Sequence, residues 1–123
     1  MSTISSCLLP AWTQAALCGA QLRAADAGTW LRLLLLAPAL EECVVRAGLQ
    51  EWLTRRLAPA SPAPVLVSTL TFGALHLASG WPHALAVMAP GLALALLYRR
   101  TRSWRWCALA HGGSNAFALL VCG

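Results

Sequence analysis

Three short groups of residues have types and spacings suited to chemistry. The first is Glu41-Glu42-Cys43-Val44-Val45-Arg46, the second is Phe72 with His76, and the third is His111-Gly112-Gly113-Ser114-Asn115. On a helix, residues four apart share a face, so Glu42 meets Arg46, Phe72 meets His76 and His111 meets Asn115. Glu42 precedes Arg46, the favourable order for an ion pair along a helix. Glu41 lies about 100° around the helix from Glu42 and points elsewhere. A carboxylate left over in apolar surroundings suits a general base or acid. A His and an Asn aimed at one point are suitable donors to an oxyanion.

Each group also has a purely structural reading. Glu42 and Arg46 can be a buried ion pair. His76 can be a polar side chain satisfied within its own helix. His111 and Asn115 can hold helices together, with Gly112 and Gly113 allowing close approach or access for a peptide backbone. Glu41 fits a structural role least, because a second acid is not needed to neutralise one arginine. His83, beside Trp81-Pro82, reads as an exposed turn residue, and Glu51 with Arg55 as a surface pair.

The surroundings explain why these groups stand out. Glu41 follows Leu33-Leu34-Leu35-Leu36-Ala37-Pro38-Ala39-Leu40. A charged side chain at the centre of a membrane helix costs on the order of 2.5–3.5 kcal/mol, so ionisable residues there are paired, solvated or used. The chain is 59% hydrophobic and 11% charged, with a mean hydropathy of +0.64. Soluble domains carry about 25% charged residues. The expected class is all-α: a single integral-membrane domain over 1–123, a polytopic bundle of four to five spans at about 20 residues each.

The elements that must position the three groups follow in order. Cys7–Leu22 reads as a first span or, less well, as a helix lying in the interface, and the absence of a basic segment before it argues against a cleaved secretory signal. Arg23–Gly28 reads as a loop. Thr29 is the expected cap of a helix running to about Leu57, kinked at Pro38. Pro59, Pro62 and Pro64 mark a loop. Further helices are expected at about 64–79, 83–98 and 104–122, with Gly80-Trp81-Pro82 as the turn after the first of these.

The nine basic residues are all arginine and sit mainly at the ends of apolar runs, which suits a topology signal better than nucleic-acid binding. Loops 55–64 and 99–105 are therefore expected to be cytoplasmic. The five cysteines, Cys7, Cys18, Cys43, Cys107 and Cys122, are odd in number and lack Cys-x-x-Cys spacing. They read as small packing residues.

Taken together, Glu41-Glu42-x-x-x-Arg46, Phe72-x-x-x-His76 and His111-x-x-x-Asn115 resemble the three motifs of the CPBP intramembrane proteases, named for CAAX proteases and bacteriocin-processing enzymes. The resemblance covers about residues 30–122. It implies that Glu41 and His76 activate a water, that His111 and Asn115 hold the oxyanion, and that Glu42, Arg46 and Phe72 support the site. It implies a glutamic mechanism without a cofactor. The implied partner is a peptide or protein substrate with a membrane-associated C-terminal or leader segment. The arginine-rich, lysine-free composition suits a GC-rich bacterial genome, hence an inner-membrane location. Two alternatives stand beside these expectations. Zinc on His76, His111 and Glu41 is chemically plausible, although no His-Glu-x-x-His is present. A non-catalytic membrane protein that binds peptides, such as an immunity or scaffold protein, could use the same polar cluster.

Overall fold

The computed structural model describes residues 26–122. The expected first span at Cys7–Leu22 lies outside them. Helix α1 is continuous from 27 to 56, through the segments Ala27–Leu31, Arg32–Leu36, Ala37–Glu42, Cys43–Gln50 and Glu51–Arg56. Its cap is Asp26 rather than Thr29: the Asp26 carboxylate accepts from the Thr29 backbone N–H at 2.7 Å. An aspartate one turn earlier satisfies the orphan amides that a threonine inside the first turn cannot.

Two segments of α1, Arg32–Leu36 and Cys43–Gln50, are wound as π-helix. The first ends against Pro38. The Ala37 N–H bonds back five residues to the Arg32 carbonyl. In that register the Leu33 carbonyl is due the N–H of residue 38, which proline lacks. The expected disturbance at Pro38 is thus a widening of the helix that releases a carbonyl.

Helix α2 spans Ala63–Leu75 and is shorter than expected. His76 stands at its C-terminal end, followed by a 3-10 turn at Leu77–Ser79. Gly80, at φ 103°, makes the reversal that other residues resist. Helix α3 then begins at once, spanning Trp81–Thr101. Trp81, Pro82 and His83 therefore belong to its first turn and not to a loop, since Pro is well tolerated there. Helix α4 spans Trp104–Cys122, as expected. The described residues are thus helical with connecting turns, and contain no strand.

Several charged and polar side chains are buried while many large apolar ones face outward. The interior holds Glu42, Arg46, Gln50, Ser68, Thr69 and His111, while Leu35, Leu40, Val44, Leu70, Leu109 and Phe117 are exposed. An apolar interior cluster of Phe72, Leu94, Tyr98 and Cys107 lies among α2, α3 and α4. Cys107 is buried, whereas Cys43 faces outward and is not a packing residue. Among the described residues, one helix, Trp81–Thr101, is long and apolar enough to cross a membrane by itself. The polar residues that mark the site lower the hydropathy of α1 and α4, and α2 has only 13 residues.

Candidate active site

The charged turn of α1 divides into two sides. On one side Glu42 and Arg46, both fully buried, pair at 2.8 Å. Arg46 also donates to the Ser68 hydroxyl and to the Gly91 carbonyl, each at 3.1 Å. Its guanidinium lies 5.4 Å from the centre of the Phe72 ring. One arginine therefore joins α1, α2 and α3. One turn further on, Gln50 donates to the Ala95 carbonyl at 2.8 Å and accepts from Ser68 at 3.1 Å. A charge removed from water is tolerable when its hydrogen-bonding capacity is filled in this way.

Glu42 extends the network to α4. Its Oε1 lies 2.9 Å from His111 Nδ1, while its Oε2 accepts from Arg46. This contact fixes the His111 ring and turns Nε2 toward Glu41, whose Oε2 lies 3.7 Å away. That oxygen is buried and accepts no hydrogen bond among the described residues. The Glu41 side chain as a whole is 28% exposed, because the rest of it faces a cavity.

The cavity has a volume of about 680 Å³. Glu41, His76, His83, His111 and Asn115 line it, among apolar groups such as Leu75, Val87 and Phe117. His76 is held by the end of its own helix: Nδ1 lies 2.8 Å from the Phe72 carbonyl, so Nδ1–H donates and Nε2 is left as the lone-pair nitrogen. Phe72 is buried between the two imidazoles, 4.8 Å from His76 and 5.2 Å from His111 between ring centres. Gly91 makes room for it, since a Cβ there would stand 2.7 Å from the Phe72 ring.

Asn115 is placed by the widened turn of α1. Its amide donates at 2.7 Å to the Leu33 carbonyl, the group released at Pro38. One N–H of the amide remains for another acceptor. Gly112 packs on the adjacent Leu34 carbonyl, where a Cβ would come within 2.6 Å. Gly113 has nothing within 4 Å of such a Cβ and borders the cavity. The two glycines thus serve differently, one for helix contact and one for open space.

All seven residues singled out in the three motifs meet at this site, on one cavity or immediately behind it. Three further members were not anticipated. His83 lines the cavity, its ring centre 5.8 Å from that of His76. Ser68 and the Gly91 carbonyl complete the shell of Arg46. A polar Ser68 facing inward from an apolar helix was the available signal for the second; no local signal marks a backbone carbonyl. Among the described residues, no three His, Cys, Asp or Glu side chains come together as a group that could hold a metal ion. His111 engages its Nδ1 with Glu42.

The described residues are helical and bury Glu42, Arg46 and His111 beside a cavity that Glu41 and His76 also line. A family model described as type II CAAX prenyl endopeptidase Rce1-like matches residues 23–117. The chain belongs to this family, whose members are integral membrane proteases. No curated protein and no solved structure matches the chain.

Proposed function

We propose that the protein is an intramembrane endopeptidase that hydrolyses a peptide bond of a membrane-associated substrate with water activated by Glu41 and His76. The observation that carries this reading is the buried Glu41 oxygen without a hydrogen-bond partner among the described residues, on a side chain that lines a cavity shared with both imidazoles. Unfilled acceptors of this kind are rare in protein interiors, and a water or substrate proton would fill this one.

A water between Glu41 and His76 Nε2 gives its proton to Glu41 as it attacks the scissile carbonyl. The tetrahedral oxyanion accepts from the remaining Asn115 N–H and, with His111 doubly protonated, from His111 Nε2–H. Glu41 then passes its proton to the leaving nitrogen as the C–N bond breaks. Glu42 and Arg46 take no part in the proton transfers; Glu42 holds the His111 ring, and Arg46 holds α2 through Ser68 and lies over the Phe72 ring. Preorganised donors and a positioned base supply the bulk of such rate enhancements.

The membrane setting is part of the same reading. An apolar exterior around a polar interior suits a bundle of four or five spans. The Arg55–Arg56 and Arg99–Arg105 ends then lie on the cytoplasmic side of a bacterial inner membrane. The substrate class is a CAAX-type, sorting-segment or bacteriocin-type chain. Cleavage of such a peptide by purified protein in lipid nanodiscs tests the reading. Glu41→Ala, His76→Ala and His111→Ala should each abolish turnover, and strong chelators should not. Turnover at the wild-type rate in all three folded variants would overturn it, and intact co-purified peptide with no product would favour a binding protein.

A further inference from the structure

Charge is divided unevenly between the two ends of the bundle. Arg55 and Arg56 end α1, Arg99 and Arg100 lie in the last turn of α3, Arg102 follows it and Arg105 opens α4, against a single acid, Glu51. The bonds to Glu51 from Arg55, Tyr98 and Arg102 bring these helix ends together. Glu51 does not use up the cluster, since the Arg55 side chain remains 76% exposed and that of Arg102 48%. Arg56, Arg99, Arg100 and Arg105 are exposed and form no ion pair among the described residues. At the opposite end, among the described residues, one acid, Asp26, is matched by one base, Arg32. Two of the unpaired arginines lie on tryptophans. Arg56 Cζ stands 4.7 Å from the centre of the Trp52 ring, and Arg105 Cζ 6.0 Å from that of Trp104. Trp52 and Trp106 are exposed, and Leu57 and Leu96, near them in the chain or the fold, also face outward.

We propose that this end of the protein binds the headgroups of anionic phospholipids, with Arg56–Trp52 and Arg105–Trp104 as anchoring pairs. The inference goes beyond the peptidase reading and does not depend on it. A guanidinium presents a planar fork that matches a phosphate with two parallel hydrogen bonds. Stacking on an indole covers the flat face of the guanidinium and leaves the N–H groups at its edge for an acceptor. Indoles settle at the headgroup level of a bilayer, so an arginine held on one sits at the depth of the lipid phosphates. A soluble acidic partner would suit a basic patch clear of apolar surface. Here the arginines come from the ends of three helices and stand beside exposed tryptophan and leucine, which matches phosphate above acyl chain. A zwitterionic lipid offers the same phosphate with its charge cancelled by the headgroup's own cation. The excess of arginine therefore selects the anionic kind.

The test is native mass spectrometry of the full chain in detergent micelles, titrated with phosphatidylglycerol or with phosphatidylcholine of the same acyl chains. Phosphatidylglycerol should bind about 25-fold tighter, at about fivefold for each anchoring arginine. Arg56→Gln and Arg105→Gln should each lower the preference about fivefold, and the two together should remove most of it. Arg56→Lys keeps the charge without the fork and should keep part of the preference. Arg32→Gln, at the opposite end, should leave it unchanged. Equal affinity for the two lipids overturns the proposal, as does a preference that survives the double variant or falls equally with Arg32→Gln. Displacement of phosphatidylglycerol by excess inorganic phosphate also overturns it, since the site would then be one for the free anion. Neither Arg56 nor Arg105 belongs to the Glu51 cluster, so a thermal scan should show the variants folded. If the double variant does not fold, the two single variants decide by the same fivefold criterion.

Discussion

Glu41 and Glu42 are neighbours in the chain and opposites in the fold. Glu42 is fully buried, and both its oxygens are engaged, by Arg46 and by His111. Glu41 has one oxygen without a partner among the described residues and the rest of its side chain on a cavity. Two identical functional groups thus receive two jobs from their surroundings. The saturated side, from Glu42 through Arg46, Ser68 and Gln50, fixes three helices and the His111 ring. The unsaturated side is where a reaction has room to occur. Saturation and reactivity exclude each other, because an acceptor already filled by a guanidinium has little capacity left for a proton from water.

Breaking the reactive side should have the largest effect. Glu41→Gln should lower turnover by about 10²–10⁴, the usual contribution of a positioned general base, with the unfolding temperature unchanged. A thermal scan and a peptide-cleavage assay on one preparation check both halves. A large loss of stability instead would mean that Glu41 belongs to the framework.

The reverse pattern is expected for the saturated side. Arg46→Ala should destabilise by about 3–5 kcal/mol, because Glu42 is left as an uncompensated buried charge. Replacing Glu42 and Arg46 together by apolar residues of similar volume should recover much of that stability and none of the activity, since His111 loses the carboxylate that orients it. A double variant as unstable as the single one would show that the pair holds the helices by more than its charge.

The paired glycines sharpen the contrast at smaller scale. Gly112→Ala should cost about 1–3 kcal/mol, the usual range for overpacking, because the new methyl would meet the Leu34 carbonyl at 2.6 Å. Gly113→Ala, with nothing within 4 Å, should leave the unfolding temperature in place and narrow the cavity. Equal stability of the two variants would remove the case for a close α1–α4 contact.

The smallest effect concerns a second acid cluster at the arginine-rich end. Glu51 is more than the surface partner of Arg55: it also accepts from Tyr98 and from Arg102, which reaches it from a left-handed backbone conformation. Its bond to Arg55, then those to Tyr98 and Arg102, draw its carboxyl down to about 2. A depressed folded-state value means stability that is present above the ordinary carboxylate range and lost as pH falls toward about 2. The arginine partners are largely solvated, so the loss should be about 0.2–1 kcal/mol. Comparing acid thermal scans of wild type and Glu51→Gln reads it: the variant should lack this part of the decline.

Several of these features could be read without coordinates because they are local. The spacing of Glu42 and Arg46 makes a helical ion pair wherever the helix goes, and the same geometry joins Phe72 to His76. Pro38 announces a disturbed turn, and the apolar runs place the helices to within a few residues. The errors were also local: Asp26 and Thr29 are both good caps, and Trp81-Pro82 reads as a turn until Gly80 is seen to make the reversal alone.

What needed the tertiary structure was the pairing of groups far apart in the chain. Pro38 releases the Leu33 carbonyl, yet nothing nearby says that Asn115, 82 positions later, will take it. Nor does local sequence say that His111 will spend one nitrogen on Glu42 and turn the other toward Glu41. His83 reaches the cavity only because α3 starts immediately after Gly80 and packs on α2. Residue types and spacing determined which groups could react. The fold decided which of them were left unfilled, because that depends on which buried donors arrive from other helices.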